Sequence, residues 1–337
     1  MVVNRMANLD ENMEHSFATY VRTLGRGPAR SRHLTFDEGR DAFRMILNGE
    51  VEGEQLGAFL LLLRYRTENA DEVAGFVQAC RDYYELEGVG RPGLLDWPSY
   101  SSGRSRGLPW FLLSALLLAE NGHSILMHGS NSHMAAGTPT AEAVRLLGLP
   151  ICKNLTMAEA EISSRNFAYI PLVNYAPEIQ NLMDLRHLLG VRSVINTLVR
   201  LINPLNGSAI FQGIFHPPYL ELHCGAAEKL GWDRIGVIKG GGGEAERNPQ
   251  KKVELTVHRN GELEKHNWPA LIGRGTDDLP VEAEDFLAVW QGKRENEAAV
   301  ATITGTAAMA LYLMGHVDSP EEAAALSHDY WQRHLEL

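Results

Sequence analysis

Apolar residues recur at helical spacing through the first 90 residues. In LTFDEGRDAFRMILNGE, Phe36, Phe43, Ile46 and Leu47 share one side of a helix. A Thr35-x-x-Glu38 capping box opens it and Gly49 closes it. The next segment, EGEQLGAFLLLLRYRT (52–67), is apolar nearly all round from Leu56 to Leu63. Two explanations remain open, a core helix packed on two sides or a subunit contact. A third helix starts at an Asn69-x-x-Glu72 box and runs to about Tyr84. Short connections between them predict a compact bundle.

From Leu94 the texture changes to strand, loop and helix. GLLDW and HSILMHGS are predicted strands, as are RIGVIKGGGG and KKVELTVHRNGEL, the last with a turn at Asn260-Gly261. LPWFLLSALLLAENG is a buried helix ending at Gly122, and TPTAEAVRLLGL is a helix ending at Gly148. ATITGTAAMALYLMGH and SPEEAAALSHDYWQRH close the chain, with Ser319 as cap and Pro320 in the first turn. The predicted class is α/β, a small helical lobe hinged to a large lobe with a mostly parallel central sheet flanked by helices. Ligands in such a sheet lie beyond the carboxyl ends of the strands.

Composition changes this picture little. A chain of 337 residues with 45% hydrophobic and 22% charged residues is ordinary globular material for about two lobes. Cys80, Cys152 and Cys224 are far apart and odd in number, which excludes a disulfide framework and a CxxC metal clip. The stretch 108–120 is too short to span a bilayer, and the N-terminus lacks the apolar core of a secretory signal. A cytoplasmic protein without a membrane partner is expected. The net charge of −11 argues against a protein coated in nucleic acid, but not against a local basic groove.

Three stretches resemble one family. MHGSNSHMAAGTPTAEAVRLLGL is similar to the K-H-G-N…G-S-x-x-x-L-x-x-L-G segment of anthranilate phosphoribosyltransferases. NYAPEIQNLMDLRHLLGVRSVINTLVRLINP resembles their N-Y-H-P…R-x-x-L-G-x-R-T-x-F-N-x-L-x-P-L-x-N-P segment nearly position for position. TAAMALYLMGHVDSPEEAAAL resembles their closing helices. The resemblance implies a helical lobe of residues 1–90 plus about 174–203, and a large lobe of 91–173 and 204–337. It also implies a homodimer through the helical lobe. The implied chemistry is attack of a nitrogen nucleophile on phosphoribosyl pyrophosphate bound with magnesium.

Each part of that chemistry is altered here. The glycine-dense G-T-G-G-D loop is replaced by WPSYSSGRSRGLPW, which offers Ser99, Ser101, Ser102, Arg104 and Arg106 as phosphate contacts. The lysine of K-H-G-N is Met127, expected to be core, while His128 is read as a cleft residue beside Gly129, Ser130 and Asn131. In VIKGGGGEAERNP, the position of a magnesium-binding Asp is Ala245, leaving Glu246 and, less directly, Glu244 as metal candidates. The glycines led by Gly240 and Gly241 are either a flexible hinge-side loop or an amide nest. Arg186 matches the arginine that contacts the acceptor carboxylate in the family, and Arg192 serves packing or phosphate.

WPSY and GGGGEAERNPQ resemble a divergent branch of the family, which implies dimers that bind DNA or RNA with little sequence preference and without transferase chemistry. Arg22, Arg26, Arg30 and Arg32 add to the arginine count in that reading, which needs no cofactor and no catalytic residue. The alternative is a working, magnesium-dependent phosphoribosyltransferase (a pentosyl transferase) of altered acceptor specificity. A pyrimidine-nucleoside phosphorylase is a third, minor reading.

Overall fold

The computed structural model describes residues 14–336 except 28, 87, 89–90, 101–106, 131–137 and 276–277. The amino-terminal helices are α1 (Ala18–Gly25), α2 (Phe36–Leu47), α3 (Gly53–Arg66) and α4 (Ala70–Tyr83). Both predicted capping boxes form, Thr35 with Glu38 and Asn69 with Glu72, and a third joins Glu52 to Gln55. Each satisfies amides that a helix start leaves without intrahelical partners. Phe17, Phe43, Phe59 and Phe76 interlock in the middle of the bundle. The apolar surface of α3 is divided: Phe59, Leu60 and Leu63 are buried, whereas Leu61 and Tyr65 are exposed.

The large lobe follows as β1 (Arg91–Ser99), α5 (Trp110–Glu120), β2 (Ile125–Gly129), α6 (Thr140–Leu146), α7 (Leu155–Arg165) and β3 (Phe167–Pro171). Three short helices then interrupt it, α8 (Pro177–Asp184), α9 (Arg186–Leu189) and α10 (Ile195–Leu198), and α10 packs against α4 and α8. The chain returns through β4 (Gly207–Ile214), α11 (Tyr219–Lys229), β5 (Arg234–Lys239), β6 (Val253–Arg259) and β7 (Glu262–Trp268). It ends in α12 (Ala283–Trp290), α13 (Glu297–Met314) and α14 (Pro320–Leu335).

The predicted α/β class is what the structure shows. One seven-stranded sheet runs β3-β2-β1-β4-β5-β6-β7, parallel from β3 to β5, with β6 and β7 antiparallel. Asn260 and Gly261 both take positive φ in the β6–β7 turn, as such a tight hairpin requires. Strands β3 and β4 are additions to the strands read from the sequence. The sheet separates two cores: one face carries Leu126, Ile170 and Ile210 toward α4, α7 and α11, the other carries Trp97, Met127 and Phe211 toward α5 and α13. Met127 is core, as expected. Helix α13 alone among the described helices has the length and hydropathy to cross a bilayer, and 72% of that window is buried inside the fold. The three cysteines are free and buried.

Because β1 leads to β2 on one side and β4 leads to β5 on the other, the order reverses between β1 and β4. That reversal opens a crevice at their carboxyl ends. The glycines at this crest are there for close approach. A Cβ on Gly240 would lie 1.6 Å from the carbonyl oxygen of Glu244, and one on Gly213 would lie 2.0 Å from its carbonyl carbon. A Cβ on Gly241 would meet nothing within 4 Å. Gly213→Ala is therefore expected to lower stability by about 3 kcal/mol, whereas Gly241→Ala leaves it near the wild-type value. Urea unfolding of the two variants checks the pair, and equal midpoints would remove the packing role assigned to Gly213.

Candidate anion-binding cleft

The glycine run after β5 is a folded turn. Gly240 N–H donates to Ile214 O at 3.1 Å, Gly243 N–H to Gly240 O at 3.2 Å, and Glu244 N–H to Gly241 O at 3.3 Å. Gly242 and Gly243 take positive φ, which glycine adopts without strain. Two of these amides close the turn on itself and the first ties it to the end of β4. The turn delivers Glu244, Ala245 and Glu246 into the interior.

Glu246 lies over the start of α5, where Pro109 offers no capping side chain. Its Oε2 accepts the Phe111 N–H at 3.0 Å. A carboxylate there satisfies an open amide and faces the positive end of the helix. Glu244 is fully buried and electrostatically coupled to Arg200. With Ala245 between them, both acids face inward, Glu246 on the Phe111 amide and Glu244 within electrostatic reach of Arg200. Among the described residues no group of three or more His, Cys, Asp or Glu side chains could hold a metal.

His128 is placed differently from the cleft position expected of it. The register Pro98↔His128 puts Asp96 and Tyr100 on the same sheet face to either side of it, since alternate strand residues share a face. His128 Nε2 bonds Asp96 Oδ2 at 3.2 Å, and Nδ1 lies 2.9 Å from both the Tyr100 and the Tyr175 hydroxyl. Asp96 and His128 are fully buried, and burial pushes both phenols well above their usual range. The imidazole is a structural pin between strand ends and the segment entering α8. Ser99 is buried too, its hydroxyl 2.9 Å from Thr140, and a Cβ on Gly129 would strike the Ser99 carbonyl at 2.1 Å. Ser130 is half-buried after β2. Ser101, Ser102, Arg104, Arg106 and Asn131 lie outside the described residues.

The open part of the crest is lined by Arg64, Arg192, Arg200, His216, Tyr219 and His223 and encloses about 80 Å³. Asn196 lies in α10 and Arg200 in the turn after it, four residues on, while Arg192 comes from the segment before α10; all three line the pocket. Arg64 Nη1 donates to the Tyr219 hydroxyl at 2.8 Å, which holds the end of α3 over the cleft. Arg200 is buried, donating to the carbonyls of Asn196 and Tyr100.

The guanidinium of Arg192 is lowered first by burial and then by Arg186 and Arg64. That of Arg200 is lowered by burial and by Arg192, with Glu244 opposing. Arg186 acts on this cluster from just outside the lining. Like charges gathered at a partly desolvated spot, whose described lining holds no Asp or Glu, attract an anion. Two of the arginines farther upstream are engaged elsewhere: Arg22 pairs with Glu14, and Arg32 makes two 2.6 Å bonds to Glu38. Sequence reasoning passed over Arg64, Phe215, His216, Tyr219 and His223. The last four follow β4, a strand it did not read.

His223 supplies the neutral member of the site. The Gln212 amide nitrogen donates to the Arg200 carbonyl, so its oxygen accepts the His223 Nδ1–H at 2.6 Å. Nε2 is then an acceptor. Burial first, and Arg200 second, push this imidazole down to about 3.

Two family models match the chain, the helical bundle domain of a glycosyl transferase family over residues 18–83 and its a/b domain over 111–333. An uncharacterized protein of Aquifex aeolicus is 30% identical over 86% of this chain and 90% of its own length. An anthranilate phosphoribosyltransferase of Caldivirga maquilingensis is 27% identical over 92% of this chain and 96% of its own. The structure of anthranilate phosphoribosyltransferase from Saccharomyces cerevisiae in complex with PRPP and Mg superposes with a TM-score of 0.75 at 17% identity, covering 96% of this chain and 97% of that one.

The depressed His223 value has a signed consequence for stability. Between about 3 and the ordinary 6.5 the unfolded chain binds the proton and the folded chain does not. Stability is therefore whole above pH 6.5 and is lost as pH falls toward 3. The wild type is expected to lose on the order of 2 kcal/mol more than His223→Gln between neutral pH and pH ~5. Thermal melts at both pH values read this difference, and equal losses would show that the ring is not held neutral.

Proposed function

As the chain belongs to the glycosyl transferase family with this helical bundle and a/b domain, we propose that its cleft binds a phosphorylated ribose of the phosphoribosyl pyrophosphate class, for pentosyl transfer to an acceptor other than the family's usual one. The observation that carries this reading is the cluster of Arg64, Arg192 and Arg200 at the carboxyl ends of β1 and β4, where such a sheet receives its ligands. The relatives named above as anthranilate phosphoribosyltransferases support the ligand class. Arginine recognises phosphate oxygens through paired N–H groups. His223 Nε2, a neutral acceptor, suits a ribose hydroxyl, and Arg186 beside Arg192 suits an anionic acceptor. Magnesium accompanies the diphosphate in solution in this reading, and no step is assigned to it.

A second reading rests on a separate observation, the use of Glu246 within the fold. A cleft with arginines whose neighbouring acids face inward suits a longer polyanion, a strand of DNA or RNA held through its phosphates, with no transfer chemistry. Calorimetry with phosphoribosyl pyrophosphate, with and without magnesium chloride, is expected to show binding that Arg192→Ala weakens tenfold or more. Absence of heat at millimolar ligand would sink the first reading. A gel shift whose salt slope falls by about one for each arginine removed would establish the second.

We further propose that two copies pair through the helical lobe. Leu61 and Tyr65, one turn apart on α3, are exposed, Tyr65 at 89%. Leu188 at the end of α9 is 83% exposed. Light scattering is expected to give a dimer for the wild type and a monomer for Tyr65→Asp. A monomeric wild type would exclude this contact.

A further inference from the structure

Away from the crest, the α/β layer buries a cation that the cleft does not use. Arg247 follows the Glu244–Glu246 segment and is 1% exposed. Its Nη2 donates to the Pro269 carbonyl, its guanidinium lies 5.2 Å from the Trp268 ring centroid, and its Nε meets no acceptor. Among the described residues no carboxylate pairs with it, and burial alone pushes it down to about 10. A guanidinium withdrawn from water without a counter-charge is a costly arrangement.

This arginine forms one wall of a cavity of about 640 Å³ between α12, α13 and α14. Leu271, Val289, Val300, Ala301, Trp331 and Leu335 supply the apolar lining. The place is shaped for the arginine. A Cβ on Gly305 of α13 would sit 3.0 Å from its Cδ, 3.4 Å from its Nη1 and 2.6 Å from Leu271 Cδ1. The amino end of α13 also reaches the cavity, but Glu295 and Glu297 stand there, so an anion is drawn to Arg247 and away from that helix end.

We propose that this cavity is a second ligand site, for a carboxylate bearing an apolar tail, with the head group on Arg247 and the tail along α13 and Trp331. Arg294 also lines the cavity but is paired with Asp285, which leaves Arg247, among the described residues, as the guanidinium without a carboxylate; a monoanion is favoured over a phosphate because the apolar lining makes a second negative charge expensive to desolvate. Pockets of this size, largely apolar with a few placed polar groups, hold small ligands. The site is independent of the cleft at the crest and shares no lining residue with it.

Calorimetry on the full chain with sodium octanoate tests it, with 1-octanol and n-octyl phosphate as controls. Octanoate is expected to bind one to one, at least tenfold more weakly to Arg247→Met, and not at all to Ala301→Phe, which fills the cavity and keeps the arginine. Octanol is expected to bind wild type and Arg247→Met alike, and Arg192→Ala to bind octanoate as the wild type does. Equal octanoate affinity in wild type and Arg247→Met would overturn the proposal, as would tighter binding of octyl phosphate than of octanoate. Loss of octanoate in Arg192→Ala would move the ligand to the crest and overturn it as well. Ala301→Phe carries the test where Arg247→Met does not fold.

Discussion

The carboxylate of Glu246 on the Phe111 amide is the constraint around which the crest is arranged. That bond closes the start of a helix whose residues Trp110–Ala119 are all buried, where a free amide would otherwise be left unsatisfied. To reach it, the chain after β5 must fold tightly over the strand ends, and Gly213 and Gly240 make room for the backbone that does so. The same fold-back takes Glu244 out of water and places it within electrostatic reach of Arg200. Both acids thus hold the architecture of the crest together.

With the acids inside, the balance of charge at the crevice is set by arginine. Arg192 reaches it from the segment before α10 and Arg200 from the turn after it, and Arg64 because Tyr219 holds it. Burial and mutual repulsion lower Arg192 without neutralising it. This is the reverse of the His128 site, where Asp96 and two tyrosines consume every polar atom of the ring.

Local signals made most of the fold legible. Capping boxes, glycine stops and the Asn260-Gly261 turn each encode a boundary within a few residues, and the structure has them where they were read. β3 and β4 escaped because neither advertises itself. FAYIP is only five residues long, and GSAIFQGI mixes two glycines and a buried glutamine into a strand covered on both faces. The site was less legible for a related reason. His128 beside a glycine reads as a ligand contact until the strand register shows Asp96 and Tyr100 on either side of it. Of the arginines in the cleft, Arg192 is marked in the sequence by resemblance, whereas Arg64 joins it only where α3 meets Tyr219.

The antiparallel hairpin that finishes the sheet has one more effect. Among the described residues β7 is the last strand of the sheet, and Glu262, Glu264 and Lys265 stud its outer rim with charge. Such decoration discourages edge-to-edge polymerisation. A molecule that gathers cations at one end of its sheet thus keeps the sheet's margin inhospitable to runaway stacking.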